Sequence, residues 1–188
     1  MPTIIIKPRK AFPLKGTPTS RGIIRKKNYA KGSHLLRKGR FSNPGYYYFI
    51  TTSTYKKTKI FTRPEYFEII LNTLKWLEQL RRIELHFVIA MPDHIHTVFK
   101  IEDNQTLSQV MMSFKGFIGK KIKELFSKIE PNKTLPKIWQ SQYYDHLIRK
   151  NENYIEIMNY CLYNPVRKEI VNEPQEYPYW WCKYEILG

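Results

Sequence analysis

The chain has 188 residues, of which 42% are apolar, enough for one domain with a core and an extension. Its formal net charge of +16, from 32 Lys and Arg against 16 Asp and Glu, favours a polyanionic partner. No run approaches the roughly 18 apolar residues of a membrane span, no signal-peptide pattern is present, and Cys161 and Cys182 fit neither a zinc spacing nor a disulfide framework, so a soluble, cytoplasmic protein is expected.

Residues 1–45 hold twelve basic residues and no acidic one. Pro2, Pro8, Pro13 and Pro18, with Gly16, Gly22, Gly32 and Gly39, are expected to break any regular element there. This segment reads either as a flexible arm that grips nucleic-acid phosphates or as a solvated tail. Arg25, Lys26, Lys27, Arg37, Lys38 and Arg40 are its candidate phosphate contacts. Residues 46–188 are expected to form the domain.

The β-branched and aromatic run 46–54 predicts a first strand. Thr62-Arg63-Pro64-Glu65 has the form of a capping box and predicts a helix to about Arg82. Phe67, Ile70, Leu71, Leu74 and Leu77 form its core stripe. Strands follow over 84–90 and from His94 to about Ile101, separated by a tight Met91-Pro92-Asp93 turn. A second capping box, Thr106 to Gln109, opens a long helix to about Lys128, with Leu107, Val110, Met111, Phe114, Ile118, Ile122 and Leu125 on one face. Its other face carries Lys115, Lys120 and Lys121, which are either phosphate contacts or an ordinary solvated face. Residues 130–142 read as a loop and 143–149 as a fourth strand. Asn151 is the expected N-cap of a third helix that Pro165 ends. The order strand-helix-strand-strand-helix-strand predicts an α+β, ferredoxin-like antiparallel sheet (βαββαβ), followed by a C-terminal helix. In that plan the strand beginning at His94 is central.

His94 and His96 flank Ile95 on that strand. Side chains alternate along a strand, so the two imidazoles share one face and Ile95 takes the other. Such a pair is half of a metal site or two satisfied histidines. On the last helix, Ile155, Met158, Cys161 and Leu162 form a face that should pack on the sheet. Tyr160 and Asn164, four residues apart, lie on a different face. Tyr160 can serve as nucleophile, general acid or hydrogen-bonding group, and the Asn164 carbonyl suits Mg²⁺ or Mn²⁺. His86 and His146 read as structural. The aromatic clusters Tyr46-Tyr47-Tyr48 and Tyr177, Tyr179, Trp180, Trp181 and Tyr184 could stack on bases or fill the core.

Several motifs together resemble a known family. His94-Ile95-His96 has the His-hydrophobic-His form of the HUH endonucleases. Met91-Pro92-Asp93-His94-Ile95-His96, Trp139-Gln140, Tyr143 to Arg149 and Tyr160-Cys161-Leu162-Tyr163-Asn164-Pro165-Val166-Arg167 resemble segments of the REP-associated tyrosine transposases, within the IS200-like single-tyrosine transposases. The resemblance spans about residues 46–170. It departs at Asp93, where the family often has Asn, and at Cys161-Leu162-Tyr163, which replaces a usual Ile-x-Leu. It implies that His94, His96 and Asn164 bind a divalent metal, Mg²⁺ or Mn²⁺, and that Tyr160 attacks a phosphodiester of single-stranded DNA beside a hairpin or palindromic repeat. The link formed would be a 5′-phosphotyrosine, with a free 3′-hydroxyl. Metal-binding imidazoles must be neutral, so activity is expected to fall below about pH 6. Two other functions remain open from the residues: a non-catalytic single-stranded nucleic-acid-binding module, and a replication-type HUH nickase. Monomer and homodimer are both compatible with the sequence.

Overall fold

A computed structural model describes residues 5–7, 44–102, 105–135, 137–149 and 152–187. In chain order the elements are β1 (Ile5–Lys7), β2 (Tyr47–Thr54), α1 (Pro64–Gln79), β3 (Ile83–Met91), β4 (His94–Ile101), α2 (Leu107–Ile129), β5 (Trp139–Ile148), α3 (Tyr154–Leu162), α4 (Asn164–Arg167), β6 (Trp180–Cys182) and β7 (Glu185–Leu187). The main sheet is antiparallel in the order β5-β2-β4-β3-β6. Its first four members have the ferredoxin-like arrangement, with β2 and β4 inside. β6 was not expected; it pairs with β3 and extends the sheet by one strand. β1 pairs with β7 in a separate ribbon, so Ile5–Lys7 is a strand where the sequence led us to expect no regular element. A three-residue strand carries too little alternation to be read before its partner is known. The candidate phosphate contacts Arg25 to Arg40 lie outside the described residues.

Each face of the sheet has its own core. On one face, Ile50, Leu85, Val88, Ala90, Ile95 and Phe99 pack against the stripes of α1 and α2. On the other, Tyr47, Phe87, Ile89, Met91 and Val98 pack against Tyr154, Met158, Cys161 and Leu162 of α3 and against Tyr177 and Tyr184. β3 is covered on both faces, which is why it reads as a nearly continuous apolar run. A bulge between Leu85 and Phe87 shifts its register. His86 and the following Phe87 consequently both reach the α3 face, where His86 meets Tyr47, Tyr154 and Tyr184.

The helix ends refine the sequence expectations. α1 starts at Pro64 with Arg63 as an extended N-cap, and the Thr62 capping box does not form. Proline in the first turn sets the start without a side-chain cap. The Thr106–Gln109 box on α2 does form: Thr106 Oγ1 accepts from Gln109 N at 3.2 Å, and Gln109 Oε1 accepts from Thr106 N at 2.9 Å. α3 is capped by Asn153, whose side chain accepts from Ile155 N at 3.0 Å; Asn151 lies outside the described residues. Pro165 does not end the chain's helical course. α3 stops at Leu162, and Asn164 opens the short α4 with Pro165 in its first turn. β5 begins at Trp139, inside the expected 130–142 loop, because a bulge in the pairing lets Trp139 face Thr54.

Ile95 is fully buried beneath α1 and α2 while its neighbours face the opposite side. Ile95→Ala is expected to destabilise the fold by about 2–4 kcal/mol, through lost burial and the residual cavity. Urea unfolding measures this; a loss below about 1 kcal/mol would show that the core collapses around the gap.

Candidate active site

β4 carries His94 and His96 on the face covered by α3, and β2 lies alongside, with Thr51 opposite His96 and Ser53 opposite His94. Each imidazole is held by its Nδ1. Asp93 Oδ1 lies 2.5 Å from His94 Nδ1, and Thr51 Oγ1 lies 2.8 Å from His96 Nδ1. Phe49 stacks against His96 with ring centroids 5.5 Å apart. With both Nδ1 atoms engaged, the two Nε2 atoms converge to 3.1 Å. Asn164, at the start of α4, closes the triangle: its amide lies 3.2 Å from His94 Nε2 and 3.0 Å from His96 Nε2. An Asn side chain presents either amide nitrogen or carbonyl oxygen to the same point, depending on what stands there.

Burial is the main reason that both imidazoles titrate low. It pushes His96 down to about 3, helped by His94, Lys57 and Arg167. It also lowers His94 against the opposing pull of the Asp93 carboxylate. Burial therefore favours the neutral form of both imidazoles, the form a metal ligand needs. Cis ligands at about 2.1 Å from one octahedral ion lie about 3.0 Å apart. The triangle of 3.0–3.2 Å edges formed by His94, His96 and Asn164 fits that requirement. Among the described residues no cluster of three or more His, Cys, Asp and Glu could hold a metal, so an amide is needed to make a third protein ligand.

The same burial has a consequence for stability. His86 is buried and its pKa is also lowered, first by desolvation. A histidine whose folded pKa is depressed contributes stability that is present above its unfolded value and is lost as pH falls. Below about pH 6.5, each of His86, His94 and His96 should cost up to about 1.4 kcal/mol per pH unit. We expect unfolding free energy to drop steeply between pH 7 and 5.5, with a shallower slope in His96→Gln. A flat profile across that window in urea titrations would contradict neutral burial.

Tyr160 lies on the last turn of α3 and is 62% exposed. The Arg167 guanidinium lies over its ring at 3.9 Å, and Arg167 donates to the Tyr160 carbonyl at 2.6 Å. Tyr160 and Asn164 thus belong to two successive helices. Asn164 points into the imidazole pair and Tyr160 stands in solvent.

The other expected site residues are placed differently. α2 packs on the opposite face of the sheet from His94 and His96, so Lys115, Lys120 and Lys121 are not brought to this site. Lys115 donates to Gln140 O at 2.6 Å, and Lys121 pairs with Glu124 at 3.1 Å. The cations near the triangle are Lys57, Arg167 and Lys168, each of which lowers an imidazole pKa. Lys57 is 3.8 Å from Asp93 Oδ2 and donates to Ser53 Oγ at 2.9 Å. Nothing in the local sequence distinguished it, because a short turn after β2 brings it back to the site. His146 is paired with Glu152 at 2.8 Å, and His86 is bonded to Tyr184. Tyr47, Tyr48, Tyr177 and Tyr184 are buried and belong to the cores, which leaves them unable to stack on bases.

The family model for transposase IS200 like matches residues 20–162, which include His94, His96 and Tyr160. The chain belongs to the IS200-like transposase family. It is 24% identical over 137 residues to a Haemophilus influenzae protein named for the REP-associated tyrosine transposases, covering 70% of this chain and 77% of that protein. An uncharacterized protein from the same organism is 23% identical over 176 residues, covering 73% of this chain and 92% of its own length. Among solved structures, a REP-associated tyrosine transposase bound to a REP hairpin superposes with a TM-score of 0.59 at 19% identity, over 75% of this chain and 79% of that one. This transposase-family chain therefore shares that fold. No helix among the described residues is long and apolar enough to cross a membrane.

Proposed function

We propose that this IS200-like family member is a metal-dependent single-stranded DNA endonuclease and strand transferase of the HUH type, and that it cleaves and rejoins DNA next to hairpin or palindromic repeats through a covalent phosphotyrosine intermediate. The observation that carries the reading is the convergence of His94, His96 and Asn164 within 3.2 Å of one another, with an exposed tyrosine four residues before Asn164 in the chain. The hairpin substrate is suggested by the REP hairpin bound to the structural relative.

His94, His96 and Asn164 would hold Mg²⁺ or Mn²⁺, which when bound supplies Lewis-acid stabilisation of charge on the scissile phosphate. Asp93 and Thr51 fix the two rings so that both Nε2 atoms face the ligand position. Tyr160 Oη attacks phosphorus and gives up its proton; the bond from phosphorus to the 3′ oxygen breaks, and that oxygen leaves as a free hydroxyl after taking up a proton. A free tyrosine has a pKa near about 10, so the phenol must be deprotonated on attack. One phosphodiester is exchanged for another. Rejoining by a 3′-hydroxyl therefore needs no nucleotide cofactor.

The test is covalent trapping. The full chain is incubated with end-labelled oligonucleotides that carry a hairpin and its single-stranded flank, with Mn²⁺ or with EDTA, and resolved on a denaturing gel. A shifted band that forms with Mn²⁺ and disappears with EDTA is the expected result. Tight hairpin binding without any covalent band would replace this reading with that of a non-catalytic binding module.

A further inference from the structure

Arg167 is left unused by the chemistry above, yet it makes the most specific contacts that Tyr160 has. We infer that Arg167 is the positioning residue for the Tyr160 nucleophile, an inference that rests on the proposed transesterase reading.

The backbone explains how an arginine seven residues further on reaches the tyrosine. α3 ends at Leu162, Tyr163 takes a non-helical conformation, and α4 starts again at Asn164. Arg167 N donates to Tyr163 O at 3.0 Å, so the second helix is joined to the end of the first without a loop. The side chain then turns back along α3. Its guanidinium carbon lies 3.9 Å from the Tyr160 ring centroid while one nitrogen donates to Tyr160 O at 2.6 Å. These two contacts act on different atoms of the same residue. The hydrogen bond occupies a carbonyl in the last turn of α3, where a cation also complements the helix dipole. The cation–π contact restrains the ring itself. An exposed tyrosine without such contacts would sample several χ1 and χ2 states, and only a fraction would place Oη for in-line attack.

α4 also ties the nucleophile to the ligand triangle. Asn164 and Arg167 are the first and last residues of one four-residue helix. Asn164 reaches both imidazoles, and Arg167 is close enough to His96 to contribute to its lowered pKa. A single short rigid element therefore sets both the third ligand and the ring of Tyr160.

The experiment compares wild type, Arg167→Gln and Arg167→Lys in single-turnover adduct formation with the hairpin oligonucleotide and Mn²⁺. Binding of the same oligonucleotide is measured in parallel by anisotropy with Tyr160→Phe as the background, so that no cleavage intervenes. We expect the adduct rate of Arg167→Gln at saturating DNA to fall by roughly 30-fold to 100-fold, as for a nucleophile displaced by about 1 Å. Affinity for the oligonucleotide should stay within about threefold. Arg167→Lys, which keeps a cation over the ring but loses the planar fork, should recover part of the rate.

An unchanged saturating rate in Arg167→Gln would overturn the inference. So would a loss confined to affinity, which would make Arg167 a DNA phosphate contact. If Arg167→Gln unfolds, Arg167→Lys alone decides: a saturating rate equal to wild type overturns the inference, and a reduced rate with unchanged affinity supports it. Absence of any adduct in wild type would overturn the transesterase reading and the inference with it, whereas a wild-type adduct with an indifferent Arg167→Gln overturns the inference alone.

Discussion

Under the proposed mechanism, Tyr160→Phe is expected to lower covalent adduct formation and strand cleavage by at least about 10⁴-fold, because it removes the oxygen proposed to attack and nothing else. The fold should not register the change. The phenol is mostly in solvent, and the contacts made by the residue use its backbone carbonyl and its ring face, both of which phenylalanine keeps. Hairpin affinity and the unfolding midpoint should accordingly match wild type. This separates loss of chemistry from loss of structure. If an adduct persists in Tyr160→Phe, the attacking group is another tyrosine. Tyr163, at the junction of α3 and α4, is then the first to examine.

His96→Ala carries the second large effect. His96 is the buried member of the pair, and its ring is fixed from three directions by Thr51, Phe49 and the Asn164 amide. Removing it leaves one imidazole and one amide, too few to hold a hard divalent ion well. Adduct formation is expected to drop by about 10³-fold or more, the scale on which lost transition-state charge stabilisation is felt. Mn²⁺ binding, followed by calorimetry or by the paramagnetic signal of the free ion, should weaken together with it. Thr51 would also lose its partner beside a new cavity, so a stability loss of about 1–3 kcal/mol is expected as well. An adduct yield insensitive to His96→Ala would remove the triangle from the mechanism, whatever the fate of Tyr160.

Periodicity and punctuation account for what was legible in the amino-acid sequence. The alternation that puts His94 and His96 on one face and Ile95 on the other is a local property of any strand, and the structure has it. The stripes of α1 and α2, the Thr106 cap and the succession of strands and helices in the four-stranded core follow from equally local patterns. Position in the motif Tyr160 to Arg167 singled out the residues of the C-terminal helices, although not the break between them.

What tertiary structure alone decided is where distant pieces meet. β6 completes the sheet because β3 offers an edge, and no property of Trp180–Cys182 in isolation announces that. Tyr47, Tyr48, Tyr177 and Tyr184 look like base-stacking residues on composition, but Tyr48 is consumed by the core under α1 and α2, and Tyr47, Tyr177 and Tyr184 by the core under α3. The α2 lysines lie across the sheet from the imidazoles because helices of a βαββαβ unit pack on one face and α3 on the other. Lys57 arrives at Asp93 through a turn. Convergence of His94, His96 and Asn164 depends on packing that joins residues 68 and 70 positions apart in the chain. Residue types and spacing determine which groups are available and which way each one points from its own element. Burial, and the closure of α4 against β4, decide which of those groups share a site and in which protonation state.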